Sequence, residues 1–576
     1  MANPSNEDRL TTSLGPYLPR VEAALAEMGR QKVISRLWAR DFTLWKPDPA
    51  EISNRLGWLQ IIEPMQEAQP ALVSFVEEVR ALGYTHALLL GMGGSSLAPE
   101  VFRKTFGVRS GYLDLSVLDT TDPRAVLDCA RRLDPVKTMF IVSTKSGGTV
   151  ETLSAFKFFN NQVAQALGAD RAGEHFVAIT DAGTQLQTIA ERYRFRKTFF
   201  NDPHIGGRFS ALSFFGLAPA ALIGLDLETL LDRASRAAVE CKSDDLGLPS
   251  GNPGAVLGAI LGELARAGRD KLTLFLSPHI ASFGDWVEQL VAESTCKDCQ
   301  GILPVVGEPA GPPQVYGDDR LFVHLRLEGD ATYDQTIQAL QAAGHPCLRL
   351  RLKDPYDLGE QFFLWEVATA VSANRLGINP FDQPDVEAAK VLARRMVVAY
   401  EKDGRLPELE PDLRADGMAV FSDPKLQPAK PATLEESLSA FLAQAQAGDY
   451  IALQAYIQPT EAADVALQDL RVKLRDRARL ATTLGYGPRF LHSTGQLHKG
   501  DAGNGLFVQI TDDATQDAPI PDEAGSSISS MSFGVLKLAQ ALGDRQALLE
   551  ANRRVMRYHM HVDAVRGIRE LTGFVK

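Results

Sequence analysis

The stretch HALLLGMGGSSLAPE, residues 86–100, decides the fold, because an apolar run ends there in two glycines and two serines just before a helix-like segment. At the carboxyl end of a parallel strand, glycines let the backbone approach a ligand closely. Serine hydroxyls and the N–H groups of a helix start then favour an anion. Alone the loop is weak evidence, since many glycine-rich loops are only turns. It predicts a strand–loop–helix unit with a candidate anion site.

A second loop of the same kind strengthens this interpretation. STKSGGTVET, residues 143–152, follows the strand-like run MFIVS and brings hydroxyls and one lysine to the start of another helix. Loops that follow neighbouring parallel strands open into one crevice where the strand order reverses. The composition suits a phosphate monoester, and the G-x-x-x-x-G-K-[ST] spacing of a nucleoside-triphosphate loop is missing. A solvated serine-rich turn stays the alternative.

The composition is that of a globular chain of several domains. The chain has 576 residues, 45% of them hydrophobic, and a formal net charge of −12. This acidic balance argues against a nucleic-acid partner, whose phosphates need a basic surface. No apolar stretch is long enough to span a bilayer and no signal peptide is recognised, so we expect a cytoplasmic protein without a membrane partner.

The five cysteines do not make a disulfide framework. Cys296 and Cys299 form a single C-x-x-C, CKDC. A zinc site usually needs a second such pair, and a redox motif needs its own strand context. We therefore expect neither a metal nor a cofactor, while the role of the pair stays open.

The apolar patterning alternates strand-like and helix-like segments, which is typical of doubly wound parallel sheets covered by helices. A proline-rich stretch with little periodicity predicts a linker. The predicted division is an N-terminal helical segment (1–82), a first α/β domain (83–230), a second domain (254–403), the linker (404–432) and a C-terminal domain (433–576).

The C-terminal domain repeats the order of strands and helices of the second domain. LFVHL at 321–325 is similar to LFVQI at 506–510, and IQALQAAG is similar to LKLAQALG. We therefore predict that the C-terminal domain is a diverged repeat of the second. The alternative is that any two α/β stretches look alike at this level.

Four motifs together resemble the phosphoglucose isomerase family: GMGGSSLAPE, STKSGGTVET, GGRFSALS and FDQPDVEAAK. The likeness is greatest to the isomerase half of fused transaldolase–phosphoglucose isomerases, although no transaldolase portion is visible. The resemblance implies three α/β sugar-isomerase (SIS-type) domains after the helical segment. It also implies reversible isomerisation of glucose 6-phosphate and fructose 6-phosphate through a cis-enediol(ate), a step of glycolysis and gluconeogenesis.

Two other functions stay open at this stage. A broader isomerase would also accept mannose 6-phosphate, and only the pocket around C2 separates the two. A sugar-phosphate-binding regulator would need the phosphate loops but no base.

The resemblance further implies that the two loops grip the phosphate and that two glutamines contact the substrate. These expected binding residues are Gly94, Ser95, Thr144, Lys145, Ser146, Thr149, Gln289 and Gln383.

The resemblance implies that Glu293 is the base, because it matches the family's base. It follows Gln289 by four residues in GDWVEQLVAES, so both lie on one face of a helix. A carboxylate near a low-dielectric pocket would remove a proton from C2 and return it at C1. Arg208, after two glycines in HIGGRFS, would stabilise the enediolate with a permanent positive charge. The alternatives are a solvated helical glutamate and an arginine in a structural ion pair.

Ring opening is assigned to Lys390 and a histidine. Lys390 matches the family's lysine after the F-D-Q motif, whereas the family's histidine is missing from its usual loop, VVGEPAGPPQVYG (305–317). A similar H-S-x-G-Q string occurs in LHSTGQLHKG (491–500). We therefore predict His492 as the acid/base, with His498 as the alternative, because the pKa of a histidine lies near neutrality.

In the family this histidine comes from the partner subunit of a dimer. Our hypothesis is that the C-terminal domain takes the partner's place, so that a monomer would hold a complete site. A homodimer stays the alternative. Lys537, in FGVLKLAQ, is predicted to lie at the surface.

Overall fold

The computed structural model describes residues 9–248, 251–407, 409–423 and 431–576, and these form three large sheets and one short two-stranded sheet. The strands are β1 (Leu10–Ser13), β2 (His86–Gly91), β3 (Asp114–Leu118), β4 (Thr138–Ser143), β5 (Phe176–Asp181), β6 (Lys197–Asn201), β7 (Lys271–Leu276), β8 (Leu303–Val305), β9 (Arg320–Leu327), β10 (Cys347–Leu352), β11 (Leu413–Ala415), β12 (Met418–Phe421), β13 (Tyr450–Tyr456), β14 (Ala481–Tyr486), β15 (Gly505–Asp512), β16 (Pro519–Ile520), β17 (Met531–Ser532) and β18 (Arg554–Met560).

Helices cover the sheets and link their strands. They are α1 (Leu18–Arg30), α2 (Val33–Trp38), α3 (Ile62–Ala81), α4 (Leu97–Phe106), α5 (Pro123–Arg132), α6 (Val150–Leu167), α7 (Ala169–Ala172), α8 (Gln185–Arg192), α9 (Phe214–Leu222), α10 (Leu227–Glu240), α11 (Pro253–Arg266), α12 (Phe283–Thr295), α13 (Asp334–Ala342), α14 (Leu358–Leu376), α15 (Val386–Asp403), α16 (Leu434–Leu442), α17 (Glu461–Ala478), α18 (Gly495–Gly500), α19 (Phe533–Glu550) and α20 (Ala564–Phe574). Among the described residues, none of these helices combines the length and apolarity needed to cross a membrane.

The first sheet has the order β3-β2-β4-β5-β6 and is parallel throughout. Strand β2 is buried on both faces, which is why its sequence is a continuous apolar run rather than an alternating one. Ala87 and Leu89 belong to a core shared with the second domain, whereas Leu88 and Leu90 belong to a core on the other face. The predicted α/β class with parallel sheets is confirmed.

The second sheet has the order β1-β10-β9-β7-β8, and only β1 runs antiparallel to its neighbour. Strand β1 belongs to the segment that the sequence predicted as helical, and Leu10 pairs with Leu350 at the sheet edge. A run of four residues is too short to show a strand period, so this edge strand escapes sequence analysis.

The third sheet has the order β11-β12-β18-β15-β13-β14. Its four parallel strands have the order β14-β13-β15-β18, and those of the second sheet have the order β8-β7-β9-β10. In each sheet the first strand in the chain is flanked by the second on one side and by the third and fourth on the other. This shared order agrees with the predicted repeat, which we retain as a proposal.

Part of the predicted linker is ordered structure. Strands β11 and β12 fall inside residues 404–432 and extend the third sheet beside β18. Residues 424–430 of the same prediction lie outside the described residues. Strand β14 begins shortly after α17. The helix ends where Arg479 adopts a left-handed conformation with φ 55°.

The C-terminal domain packs against the first domain through an apolar contact. Phe533 and Leu536, at the start of α19, join the core on the outer face of the first sheet. The ring of Phe533 lies 5.8 Å from that of Phe158 on α6. Helix α15 packs along α19 as well, so the last helix of the second domain contacts the C-terminal domain.

Buried charges lie at the same interface. Lys537 Nζ donates hydrogen bonds to Asp122 Oδ2 at 2.9 Å and to Asp512 Oδ1 at 2.8 Å. Arg124 bridges both carboxylates at 2.7 Å. Burial alone would raise the pKa of Asp122, but the two cations hold it below its ordinary value. Lys537 is 3% exposed, so the prediction that it lies at the surface is wrong. The sequence pattern of a helix does not show which of its faces another domain covers.

We expect Lys537→Met to destabilise the protein by about 3–5 kcal/mol, because two carboxylates would stay buried with one cation fewer. Denaturant unfolding followed by circular dichroism measures the change. The matched control is Arg192→Ala, which removes an exposed ion pair with Glu523 that joins the same two domains. The control should unfold like the wild type. Equal stability of both variants and the wild type would contradict a role for the buried cluster.

Candidate active site

Two loops converge where the strand order of the first sheet reverses. Strands β2 and β4 are neighbours, and Gly91 at the end of β2 pairs with Ser143 at the end of β4. Ser143 Oγ donates a hydrogen bond to the carbonyl of Ser95, at 3.1 Å, and so joins the two loops. The crevice that the sequence predicted from these strands is therefore present.

The glycines of the first loop allow two other backbones to approach. Gly93 has φ +53°, and a Cβ atom there would lie 2.6 Å from the carbonyl oxygen of His492. A Cβ atom on Gly94 would lie 2.1 Å from the carbonyl oxygen of Gly207. Side chains at either position would force the loops apart. This stretch thus holds the Arg208 loop and the His492 loop against the first sheet.

Glu293 and Arg208 form a buried ion pair beside these glycines. Arg208 Nη1 donates to Glu293 Oε2 at 3.0 Å, and its Nε donates to Ser294 Oγ at 2.8 Å. Its Nη2 donates to the carbonyl oxygens of Pro380 and Asp382. Burial raises the pKa of Glu293 above its ordinary value, and the Arg208 charge opposes this rise.

Gln289 connects the ion pair to the His492 loop. Its Nε2 donates to Glu293 Oε1 at 3.3 Å and to the carbonyl oxygen of His492 at 2.8 Å. Its Oε1 is buried and has no hydrogen-bond partner within the described part of the chain. Since Gln289 and Glu293 lie one helical turn apart on α12, the amide and the carboxylate face the same region.

His492 belongs to a chain of hydrogen bonds that joins two domains. Its Nε2 lies 2.9 Å from Glu151 Oε1, on α6 of the first domain. Glu151 also accepts from Gln540 Nε2 at 2.7 Å, and Gln540 Oε1 accepts from Thr121 Oγ1 at 2.8 Å. Burial would raise the pKa of Glu151, but His492 and Lys390 hold it below its ordinary value. The carboxylate is thus kept ionised next to the imidazole.

A cavity of about 620 Å³ opens beside His492. Ser146, Thr149 and Lys390 line it together with His492 and Glu151. It therefore combines hydroxyls, an exposed ammonium group and an imidazole, which suits an anionic polyhydroxy ligand. Glu293 and Arg208 are not part of this lining; they connect to it through Gln289 and the His492 backbone.

The structure brings most of the predicted binding residues to the crevice. Gly94 and Ser95 lie in the first loop, and Ser95 is buried. In the second loop, the hydroxyls of Thr144 and Thr149 lie 2.8 Å apart. Ser146 Oγ accepts from the N–H of Gly148, the residue before Thr149, at 3.5 Å.

Three candidates lie elsewhere. The ammonium group of Lys145 pairs with Asp181 and donates to the carbonyl oxygen of Pro203 at 3.0 Å. Gln383 is exposed and does not line the described cavity. His498, the alternative histidine, is buried between aromatic rings, and burial lowers its pKa well below the ordinary value. His498 is therefore a core residue.

Glu151 and Gln540 were missed by sequence analysis. Glu151 belongs to the motif STKSGGTVET. Acidic residues are common in the first turn of a helix because they interact favourably with the helix dipole, so its position alone did not indicate a role in the site. Gln540 lies in the middle of α19 and carries no motif at all. Only the packing of α19 against the first domain reveals their contact.

The CKDC motif has a structural role through its lysine. Lys297 Nζ donates to the carbonyl oxygen and to Oδ1 of Asp382, at 2.8 and 2.7 Å. Asp382 belongs to the F-D-Q motif, whose backbone also contacts Arg208. Burial lowers the pKa of Lys297 to about 8. Cys296 is buried, Cys299 is exposed, and both are free thiols.

Comparisons with known proteins give related sequences and structures. A sequence model of the phosphoglucose isomerase family matches residues 65–244. A glucose-6-phosphate isomerase of Rubrobacter xylanophilus is 30% identical over 426 residues, which cover 65% of this chain and 94% of the relative. One from Thermus thermophilus is 31% identical and covers 60% of this chain and 91% of its own length.

Two solved structures share the fold. A hypothetical protein of Thermus thermophilus superposes with a TM-score of 0.57 and 26% identity, over 67% of this chain and 99% of that one. A glucose-6-phosphate isomerase of Chlamydia trachomatis superposes with a TM-score of 0.56 at 19% identity, over 66% of this chain and 86% of that one. The family match, the relatives and the site together show that the chain belongs to the phosphoglucose isomerase family of aldose–ketose isomerases.

Proposed function

We propose that this chain interconverts glucose 6-phosphate and fructose 6-phosphate, with Glu293 as the base. The observation that carries the proposal is the buried pair of Glu293 and Arg208, joined through Gln289 to the loop of His492. The relatives named glucose-6-phosphate isomerase support the choice of substrate. A regulator that only binds a sugar phosphate would not need a buried carboxylate here, and nothing favours a second substrate.

Proton transfer follows from the chemistry of the pair. Ionised Glu293 takes the proton from C2 of the open aldose, and the electron pair of that bond forms the enediolate. Arg208 stabilises the negative oxygen with a charge that needs no reorganisation. Protonated Glu293 then returns the proton to C1, the proton of the C2 hydroxyl passes to the oxygen on C1, and the carbonyl forms at C2. Because Glu293 is 4% exposed, the substrate must part the loops around it to make contact.

The phosphate would be bound by the second loop. Ser146 and Thr149 line the cavity at the start of α6, where backbone N–H groups and hydroxyls favour an anion. Lys390, which also lines the cavity, brings a positive charge. Lys145 would instead hold the loop in place through Asp181.

Ring opening would use His492, with Glu151 as its positioning partner. Glu151 fixes the imidazole through its contact with Nε2, while Gln540 holds the carboxylate. Because His492 and Gln540 come from the C-terminal domain and Glu151 from the first domain, one copy of the chain contains the whole set. We therefore propose a monomer as the smallest active unit.

Glu293→Gln should reduce turnover of glucose 6-phosphate roughly 10²–10⁴-fold, because the amide cannot accept a proton. In deuterated water the wild type should place solvent deuterium at C1 of the fructose 6-phosphate and at C2 of re-formed glucose 6-phosphate, and the variant should place it at neither carbon. Glu288→Gln is the matched control on the same helix. Burial raises the pKa of Glu288 to about 8, so an amide replaces a carboxyl that is mostly neutral. Incorporation of solvent deuterium by a fully active Glu293→Gln variant would exclude Glu293 as the base.

Arg208→Gln should shift the acid side of the pH profile of kcat/KM to higher pH, by about 1–3 units. Glu293 acts when ionised, and the guanidinium stabilises that form; its loss raises the pKa of Glu293, so more alkaline pH is needed. Ser294→Ala removes a hydrogen bond of Arg208 but keeps its charge and should leave the midpoint in place. Equal shifts in both variants would show that the position of Arg208, and not its charge, controls the pKa of Glu293.

His492→Gln should slow ring opening roughly 10²–10⁴-fold while leaving proton transfer intact. The rate on cyclic substrate should then stop rising with enzyme concentration, because spontaneous opening becomes limiting. His498→Gln, with its change in the core, should keep a rate proportional to enzyme concentration. If only His498→Gln showed the plateau, the assignment of the two histidines would be reversed.

A further inference from the structure

Three side chains with metal-binding atoms lie together at the carboxyl edge of the third sheet. Asp513, His559 and His561 place one such atom each within 4.8 Å of the others. His559 Nε2 lies 3.0 Å from Asp513 Oδ1, and His561 Nδ1 lies 2.8 Å from Asp513 Oδ2. One carboxylate therefore connects two imidazoles at hydrogen-bond distances, and the three groups lie close enough together to hold one metal ion.

The strand geometry explains the cluster. His559 lies on β18 and His561 follows directly after its end at Met560, and both imidazoles contact the carboxylate of Asp513. Asp513 follows β15, the parallel neighbour, and its N–H donates to the carbonyl oxygen of Met560 at 3.3 Å. The three groups thus sit on the ends of two hydrogen-bonded strands, which hold them better than a free loop would.

A further contact orients the more buried imidazole. Thr511 Oγ1 lies 2.9 Å from His559 Nδ1, which leaves Nε2 directed at Asp513. Metal-binding histidines usually have such a partner on their other nitrogen, because it fixes the ring and its tautomer. The side chain of His559 is 13% exposed, so the ring has little freedom to turn away.

The cluster also faces a space large enough for an additional ligand. A cavity of about 570 Å³ is lined by all three residues. Arg414 and Arg557 line the same cavity, and the Arg557 guanidinium lies 3.7 Å from the Phe421 ring centroid. These cations would favour an anionic molecule at any open coordination position of an ion held there.

We propose that Asp513, His559 and His561 bind one divalent transition-metal ion of the zinc type, with open coordination positions facing this cavity. Two imidazoles and a carboxylate suit Zn²⁺, Co²⁺ or Ni²⁺ rather than Ca²⁺ or Mg²⁺, which prefer oxygen ligands. Three protein ligands leave at least one position for water or a small anion. The competing explanation is a plain ion-pair network, in which the carboxylate only binds protonated histidines.

Metal titration of the full chain, made without a polyhistidine tag and first stripped with a chelator, separates the two explanations. We expect equilibrium dialysis to find about one tight Zn²⁺ per chain. Co²⁺ should give visible absorption bands that Zn²⁺ abolishes. His561→Ala and Asp513→Asn should each weaken Zn²⁺ binding at least about tenfold.

His204→Ala is the matched control, because His204 also pairs with an aspartate at 3.0 Å but has no second imidazole beside it. It should bind Zn²⁺ like the wild type. Isomerase activity of the Asp513 and His561 variants shows that they are folded, since neither residue lies in the active site. No tight Zn²⁺ in the wild type, or equal affinity in all variants, would overturn the proposal.

Discussion

The buried pair of Arg208 and Glu293 is the interaction on which the rest of the site depends. Taking both charges out of water is costly, and the pair persists because every donor group of the arginine meets an acceptor: Ser294 and two backbone carbonyls besides the glutamate. These acceptors come from α12 and from the F-D-Q segment, which Lys297 fixes in turn. The carboxylate that we propose as the base is therefore also held in place by the contacts of the surrounding loops with Arg208.

The C-terminal domain is part of this site rather than an appendage. It contributes His492 and Gln540 to the crevice and closes the outer face of the first sheet with Phe533 and Leu536. Apolar packing and the buried charges around Lys537 hold it there. Docking of the domain and assembly of the histidine site thus rest on the same contacts.

The sequence was informative where chemistry depends on local pattern. Glycines after a strand predicted the crevice, and the helical spacing of Gln289 and Glu293 predicted their common face. The sequence did not predict contacts whose partner lies on a distant element. Asp181, on β5, pairs with Lys145, and Gln540, on α19, donates a hydrogen bond to Glu151. Short edge strands such as β1 fall below the length at which a period can be recognised. The same limit explains β11 and β12 inside the predicted linker.

The origin of His492 within the same chain affects how the protein responds to dilution. Where a site is shared between two subunits, its completeness falls as the complex dissociates. Here the imidazole meets Glu151 through an intramolecular contact, whose effective concentration does not change with the amount of protein. If the proposed monomeric site is the active one, the specific activity of each molecule should therefore persist in a cell that makes very few copies of it.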